Sequence, residues 1–100
     1  MTTPNKVVNL CQIAVGAGKF KKGDALIPSI QKTEAKAVIL SETCGQNTAK
    51  KVRDKCRFYE IPVVVLEKGA FDQISSRLHS AFSVTDAGLA KAIVSAAESD

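Results

Sequence analysis

Residues 37–66 read AVILSETCGQNTAKKVRDKCRFYEIPVVVL. Two continuous apolar runs bracket the segment, Ala37-Val38-Ile39-Leu40 and Val63-Val64-Val65-Leu66. Each is short, uninterrupted and rich in β-branched residues, the signature of a strand buried on both faces. Between them Gly45 to Asn47 reads as a turn, and Asn47 or Thr48 as the cap of a helix. Ala49, Val52, Cys56 and Tyr59 form the buried stripe of that helix at helical spacing, and Pro62 separates it from the second run. Strand, helix, strand in this order predicts an α/β fold.

Outward from this unit the alternation continues. Thr3-Pro4 is a helix start, a hydroxyl cap followed by proline where a missing N–H costs nothing. Val7, Leu10, Cys11 and Ala14 give that helix its apolar stripe, and Gly16 and Gly18 end it. Phe20 to Lys22 reads as a short extended link. Gly23-Asp24 opens a second helix with Asp24 as its cap, Pro28 tightening the early turn, and Leu26, Ile27 and Ile30 facing inward. After Leu66, Gly69 to Ile74 is expected to be a short helix and Ala81 to Val84 a third strand. Asp86 should cap a last helix with Leu89 and Ile93 inward. The periods predict a largely parallel central sheet with helices on both faces.

The chain has 100 residues, 45% of them hydrophobic and 24% charged, which fits one globular domain over residues 1–100. No stretch approaches the ~20 apolar residues that span a bilayer, so no membrane association is expected. The N-terminal residues do not read as a secretory signal, and a cytoplasmic location with reduced thiols is expected. Three cysteines without a CxxC pair suit neither a disulfide framework nor a zinc site. Nothing calls for a metal or cofactor, and with no heptad or exposed apolar stripe a monomer is the expected state.

The net charge is +4, unevenly spread. Residues 19–57 carry ten bases and four acids, a net of +6, against −2 for the remainder. A basic middle in a nearly balanced chain points to a polyanion, most often nucleic acid. Enzyme signatures are weak. The single histidine, His79, has no readable triad. Cys11 and Cys56 lie on apolar helix stripes, and Cys44 sits at a strand-to-helix turn. Gly16-Ala17-Gly18-Lys19 follows a helix, lacks GxxxxGK[ST] spacing and so is not a phosphate loop. No enzyme is expected. Lys19, Lys21 and Lys22, by contrast, cluster before Gly23 and a helix N-terminus, a combination that suits phosphate.

NLCQIAVGAGKFKKGD, AKAVILSETCGQNTAKKVRDKCRFYEIPVVVLE and AFSVTDAGLAKAI together resemble the kink-turn RNA-binding ribosomal-protein family, most closely its small bacterial YlxQ-type branch. The likeness runs from residue 5 to residue 94. It is carried by Ala17-Gly18-Lys19, Ser41-Glu42 with Asn47-Thr48, Asp54-Lys55-Cys56 before Tyr59, Pro62-Val63, and Thr85-Asp86 with Gly88. The resemblance implies a three-layer α/β/α sandwich with a mixed, largely parallel sheet. It also implies a structured RNA partner, ribosomal or another kink-turn RNA, read at tandem G·A pairs. Carried over, the site is Lys22, Gly23 and Asp24 with Lys19 and Lys21 nearby, the turn Ser41, Glu42 and Thr43, and the last loop Ser75, Ser76 and Arg77. These three turns should lie at one end of the sandwich.

Where the family carries Gly-x-Asn-Glu, or two acids in the bacterial branch, this chain reads Gly23-Asp24-Ala25-Leu26. Each missing bidentate base contact is worth about 1–3 kcal/mol, whereas lysine contacts to phosphate survive the change. Two readings follow. One is an RNA-binding module with weakened specificity. The other is a protein-interaction or scaffold member of the same fold, whose basic helix face around Lys50, Lys51, Arg53, Lys55 and Arg57 docks an acidic protein.

Overall fold

A computed structural model describes residues 4–74 and 80–98. Thr3, His79 and the loop residues Ser75, Ser76 and Arg77 lie outside the described residues. The elements are α1 (Pro4–Gly16), β1 (Phe20–Lys22), a 3₁₀ turn (Gly23–Ala25), α2 (Leu26–Gln31), β2 (Ala37–Ser41), α3 (Gln46–Phe58), β3 (Val63–Leu66), α4 (Lys68–Ile74), β4 (Ala81–Val84) and α5 (Ala87–Glu98).

The four strands form one mixed sheet in the order β1-β4-β2-β3. β2 and β3 are parallel, with Val38 opposite Val63 and Ser41 opposite Leu66. β4 runs antiparallel to both neighbours, pairing Phe82 with Lys22 of β1 and with Ile39 of β2. Thus β1, β2 and β3 share a direction, but the reversed β4 between them leaves only one parallel pair among three. The expectation of a largely parallel sheet is corrected to that extent. The expected extended link at Phe20 to Lys22 is also a fourth strand, recruited by its ladder to β4.

Alternate residues of β2 enter two separate cores, as a pleated strand requires. Ala37 and Ile39 pack with Val64, Leu66, Phe82 and Val84 against α1, α4 and α5. Val38 and Leu40 pack with Ala81 against Leu26 and Ile30 of α2 and Val52 and Cys56 of α3. Phe71 and Phe82, both fully buried, meet with ring centroids 5.7 Å apart in the first core. The second core contains a short hydroxyl chain. Ser29 Oγ donates to the Leu26 carbonyl at 2.5 Å and lies 2.9 Å from Ser83 Oγ. Ser29 has one proton, so Ser83 donates to Ser29, and its 3.4 Å approach to the Lys21 carbonyl is the weaker contact. This chain ties α2 to the central strand.

Three helices end in the same way. In each, the second residue beyond the helix turns into the left-handed region, and the next N–H reaches back to a carbonyl five residues earlier. For α1 this residue is Gly18, φ +72°, with Lys19 N–H on the Ala14 carbonyl at 2.9 Å. For α2 it is Thr33, φ +58°, with Glu34 N–H on Ser29 at 2.9 Å. For α3 it is Glu60, φ +58°, with Ile61 N–H on Cys56 at 2.8 Å.

At the helix starts, Asp86 caps α5 as expected, its Oδ2 accepting the Leu89 N–H at 2.8 Å. The expected caps of α2 and α3 are corrected. α2 starts after Ala25, with Asp24 making no capping bond. α3 starts after Gly45, not at Asn47 or Thr48, with no side-chain cap. Among the described residues no helix is long and apolar enough to cross a membrane.

Candidate functional site

Strand direction decides what lies together. β1, β2 and β3 all finish at one end of the sheet, and β4 starts there. The turn at Lys22, Gly23 and Asp24 and the turn at Ser41, Glu42 and Thr43 therefore share an end. Ser80 is at that end too, its carbonyl taking the Ser41 N–H at 2.8 Å.

The first turn is built for backbone access. Gly23 has φ +58°, in the left-handed region that glycine enters without strain. A Cβ placed there would meet nothing within 4 Å, so this backbone faces open space. Asp24 follows, exposed, and its carboxylate has no hydrogen-bond or ion-pair partner among the described residues.

The three lysines do not form one cluster. Lys19 lies at the opposite end of β1, where its carbonyl accepts the Thr85 N–H at 3.0 Å. It is four residues from Gly23, about 13 Å along an extended chain. Lys21 and Lys22 are adjacent strand residues and so project to opposite faces of the sheet. Lys21 is exposed and Lys22 half-buried.

The second turn is internally committed. Ser41 is only 4% exposed, and its hydroxyl takes the Thr43 N–H at 3.2 Å and meets Thr43 Oγ1 at 2.8 Å. Glu42 joins two elements. Its N–H donates to the Leu66 carbonyl at 2.8 Å, and its Oε2 accepts the Lys68 N–H at 2.9 Å, at the first residue of α4. A carboxylate there favours the positive end of the helix dipole. Glu42 thus anchors α4, leaving one carboxylate oxygen for any ligand.

Between the two turns stands the start of α3, which the expected site omitted. An open groove of about 360 Å³ runs from Gly23 and Asp24, past Ile27, to Asn47, Thr48 and Lys51. On the other flank of α3 a second groove joins Ser41, Glu42 and Cys44 to Arg53 and Arg57, beside the 47% exposed Val65 of edge strand β3. The signal for Asn47 and Lys51 was in the sequence, as an i, i+4 polar pair on the outer helix face. The first N–H groups of α3 carry no side-chain cap, so they remain available to an anion.

Two of the three thiols, Cys11 and Cys56, are buried. Burial pushes Cys11 up to about 12 and Cys56 up to about 11, because no thiolate is solvated there. Among the described residues no group of three histidine, cysteine or acidic side chains is placed to hold a metal.

No protein-family model matches the chain. It is 38% identical over 89 residues to the RNA-binding protein YlxQ of Bacillus subtilis (strain 168), with 86% of this chain and 89% of that protein covered. It is 35% identical over 88 residues to the RNA-binding protein YlxQ of Enterococcus faecium, covering 86% and 85% of the two chains. A solved structure of a protein with unknown function from Bacillus halodurans C superposes with a TM-score of 0.84 at 28% identity, over 93% of this chain and 97% of that one. Identity at this level across most of both curated relatives places the chain in the YlxQ family.

Proposed function

We propose that this protein binds a structured RNA at the sheet end where Gly23, Asp24 and the start of α3 meet. The observation that carries the reading is the groove from Gly23 and Asp24 to Asn47 and Lys51, which joins an unobstructed backbone, an unpartnered carboxylate and a lysine. The YlxQ relatives are named RNA-binding proteins, and the basic middle of the chain supplies the matching sign of charge.

The division of labour follows from the chemistry. Lys21 and Lys51, with the uncapped N–H groups of α3, neutralise phosphates and set the register. The Asp24 carboxylate accepts hydrogen bonds from base edges exposed in a distorted groove, where guanine and adenine amino groups are donors. Gly23 lets the RNA backbone approach. Ser41, Glu42 and Thr43 shape the neighbouring loop more than they contact the ligand. The family resemblance adds Ser75, Ser76 and Arg77 to the proposed site, and these lie outside the described residues. The finer reading is recognition of a kink-turn, ribosomal or otherwise, by a monomer.

The test is a titration of purified protein against a kink-turn RNA and the same RNA with its G·A pairs replaced, across salt. Submicromolar binding that depends on the G·A pairs supports kink-turn recognition and makes Asp24→Ala the next variant. Equal, steeply salt-dependent binding to both supports RNA binding through phosphates alone and removes the kink-turn reading. Binding to neither at moderate salt overturns the proposal.

A further inference from the structure

We propose that the outer face of α3 is a track for single-stranded RNA continuing from the structured RNA, with a base stacked on Phe58. This rests on the RNA-binding reading above and extends its site along the helix.

Phe58 is the last residue of α3 and, at 78%, is more exposed than the other exposed large apolar side chains among the described residues, Ile13 at 56% and Val65 at 47%. It is not loose. Its ring meets that of Tyr59 at a centroid distance of 4.9 Å and an interplanar angle of 82°, and Tyr59 packs against the second core. A perpendicular contact covers at most one face of the Phe58 ring. At least one face is therefore not covered by Tyr59, on a ring that its neighbour holds in place.

The surroundings supply phosphate chemistry. A groove of about 570 Å³ runs along α3 from Asn47 past Lys50, Lys51 and Lys55 to Phe58. These positions recur at helical spacing and so lie on one face. Among the described residues none of the three lysines is engaged in an ion pair. Asp54 is the one acid in the groove, leaving the stripe with a surplus of two positive charges. Cations tracking a backbone beside an exposed ring are what sequence-tolerant single-strand binding needs, because every base has a π-face.

Continuity selects RNA over an acidic protein as the occupant. Asn47 and Lys51 line both this groove and the one at Gly23 and Asp24, so a strand leaving the first site enters the second. From Asn47 to Phe58 the helix rises about 16 Å, enough for about five stacked nucleotides.

The experiment compares a kink-turn RNA with blunt ends and the same RNA carrying a five-uridine tail, each dye-labelled, by fluorescence anisotropy with the full chain. Separate RNAs place the tail on each strand. The tail on one strand is expected to tighten binding by about 5–150-fold, the worth of a stacked base. Phe58→Ala removes that gain and leaves blunt RNA unchanged, while Phe58→Trp keeps it. Lys55→Gln lowers the salt slope for tailed RNA by about one. A tail that adds nothing on either strand overturns the track, as does an equal loss on blunt and tailed RNA in Phe58→Ala. So does a glutamate-rich peptide that binds through Phe58 and Lys55 while the tail adds nothing, which would assign the face to a protein. Tail-dependent binding without any affinity for blunt RNA supports the track and overturns the sheet-end site. Binding to neither RNA overturns both.

Discussion

Thr33 and Glu60 are two side chains held in a backbone region that disfavours them, so replacing both with glycine should stabilise the protein. Each sits at φ +58°, where the Cβ crowds the following carbonyl. The penalty is about 1–2 kcal/mol per residue. Glycine removes it but gives the unfolded chain more freedom, offsetting about 0.5–1 kcal/mol. The net gain is about 0.5–1 kcal/mol at each site. The two residues end different helices and share no hydrogen-bond partner, so the gains should add to about 1–2 kcal/mol. For 100 residues the unfolding entropy is about 210 cal/mol/K, which converts the pair into a rise in Tm of about 5–10 °C. Urea denaturation and thermal melts followed by circular dichroism measure both quantities. Lys91→Gly, at an exposed interior position of α5, is the control and should cost about 1 kcal/mol. The reasoning fails if Glu60→Gly destabilises as much as Lys91→Gly does.

Two further outcomes follow from the interior. Ser83→Ala should cost about 1–1.5 kcal/mol by breaking the hydroxyl chain to Ser29, and Ser29→Ala combined with it should cost less than the two singly, as a double-mutant cycle in urea would read. Cys11 and Cys56 keep their protons in the native state up to about 12 and about 11, while their unfolded thiols ionise at the ordinary thiol value of 9.0. The unfolded state therefore binds fewer protons above that point, and stability should be unaffected below it and fall as pH rises through 9 toward 11–12. Denaturation midpoints across this range check the fall, and a Cys11→Ala/Cys56→Ala variant that kept the same slope would show that other groups cause it.

The helices and the two core strands were legible because their signals are local. Ala37–Ser41 is buried throughout on β2, and the stripe Ala49, Val52, Cys56 and Tyr59 faces the core as its spacing requires. The expected burial of Val63–Leu66 on both faces is corrected, because β3 is an edge strand that buries Val64 and Leu66 and leaves Val65 47% exposed. β1 was not legible, because Phe-Lys-Lys has no strand pattern of its own and is a strand only by pairing with β4, in register Phe20 with Val84 and Lys22 with Phe82 far along the chain. Strand direction was illegible for a related reason. The run Ala81–Val84 is equally apolar in either direction, and what reverses it is that the connection from β3 returns to the sheet end where β3 stopped. At the candidate site, Gly23 was readable as a point of close backbone approach. The capping role given to Asp24 was not, because the 3₁₀ turn inserted before α2 displaces it from the cap position. The resemblance to a family supplied the sheet-end turns, whereas Asn47 and Lys51 emerged only once α3 was seen to stand between them.

The placement of β4 has a consequence for how the protein is made. It is the last strand in the chain and lies between β1 and β2, pairing Val84 with both Phe20 and Ala37. A chain growing from its N-terminus can join β2 to β3 early, but β1 has no partner in the sheet until residues 81–84 have been synthesised. Closure waits on contacts of large sequence separation, whose loop entropy is lost before the ladder compensates for it. The nascent polypeptide is therefore expected to hold β2 and β3 paired and β1 unpaired until β4 emerges, and to complete the sheet in one cooperative step when β4 inserts.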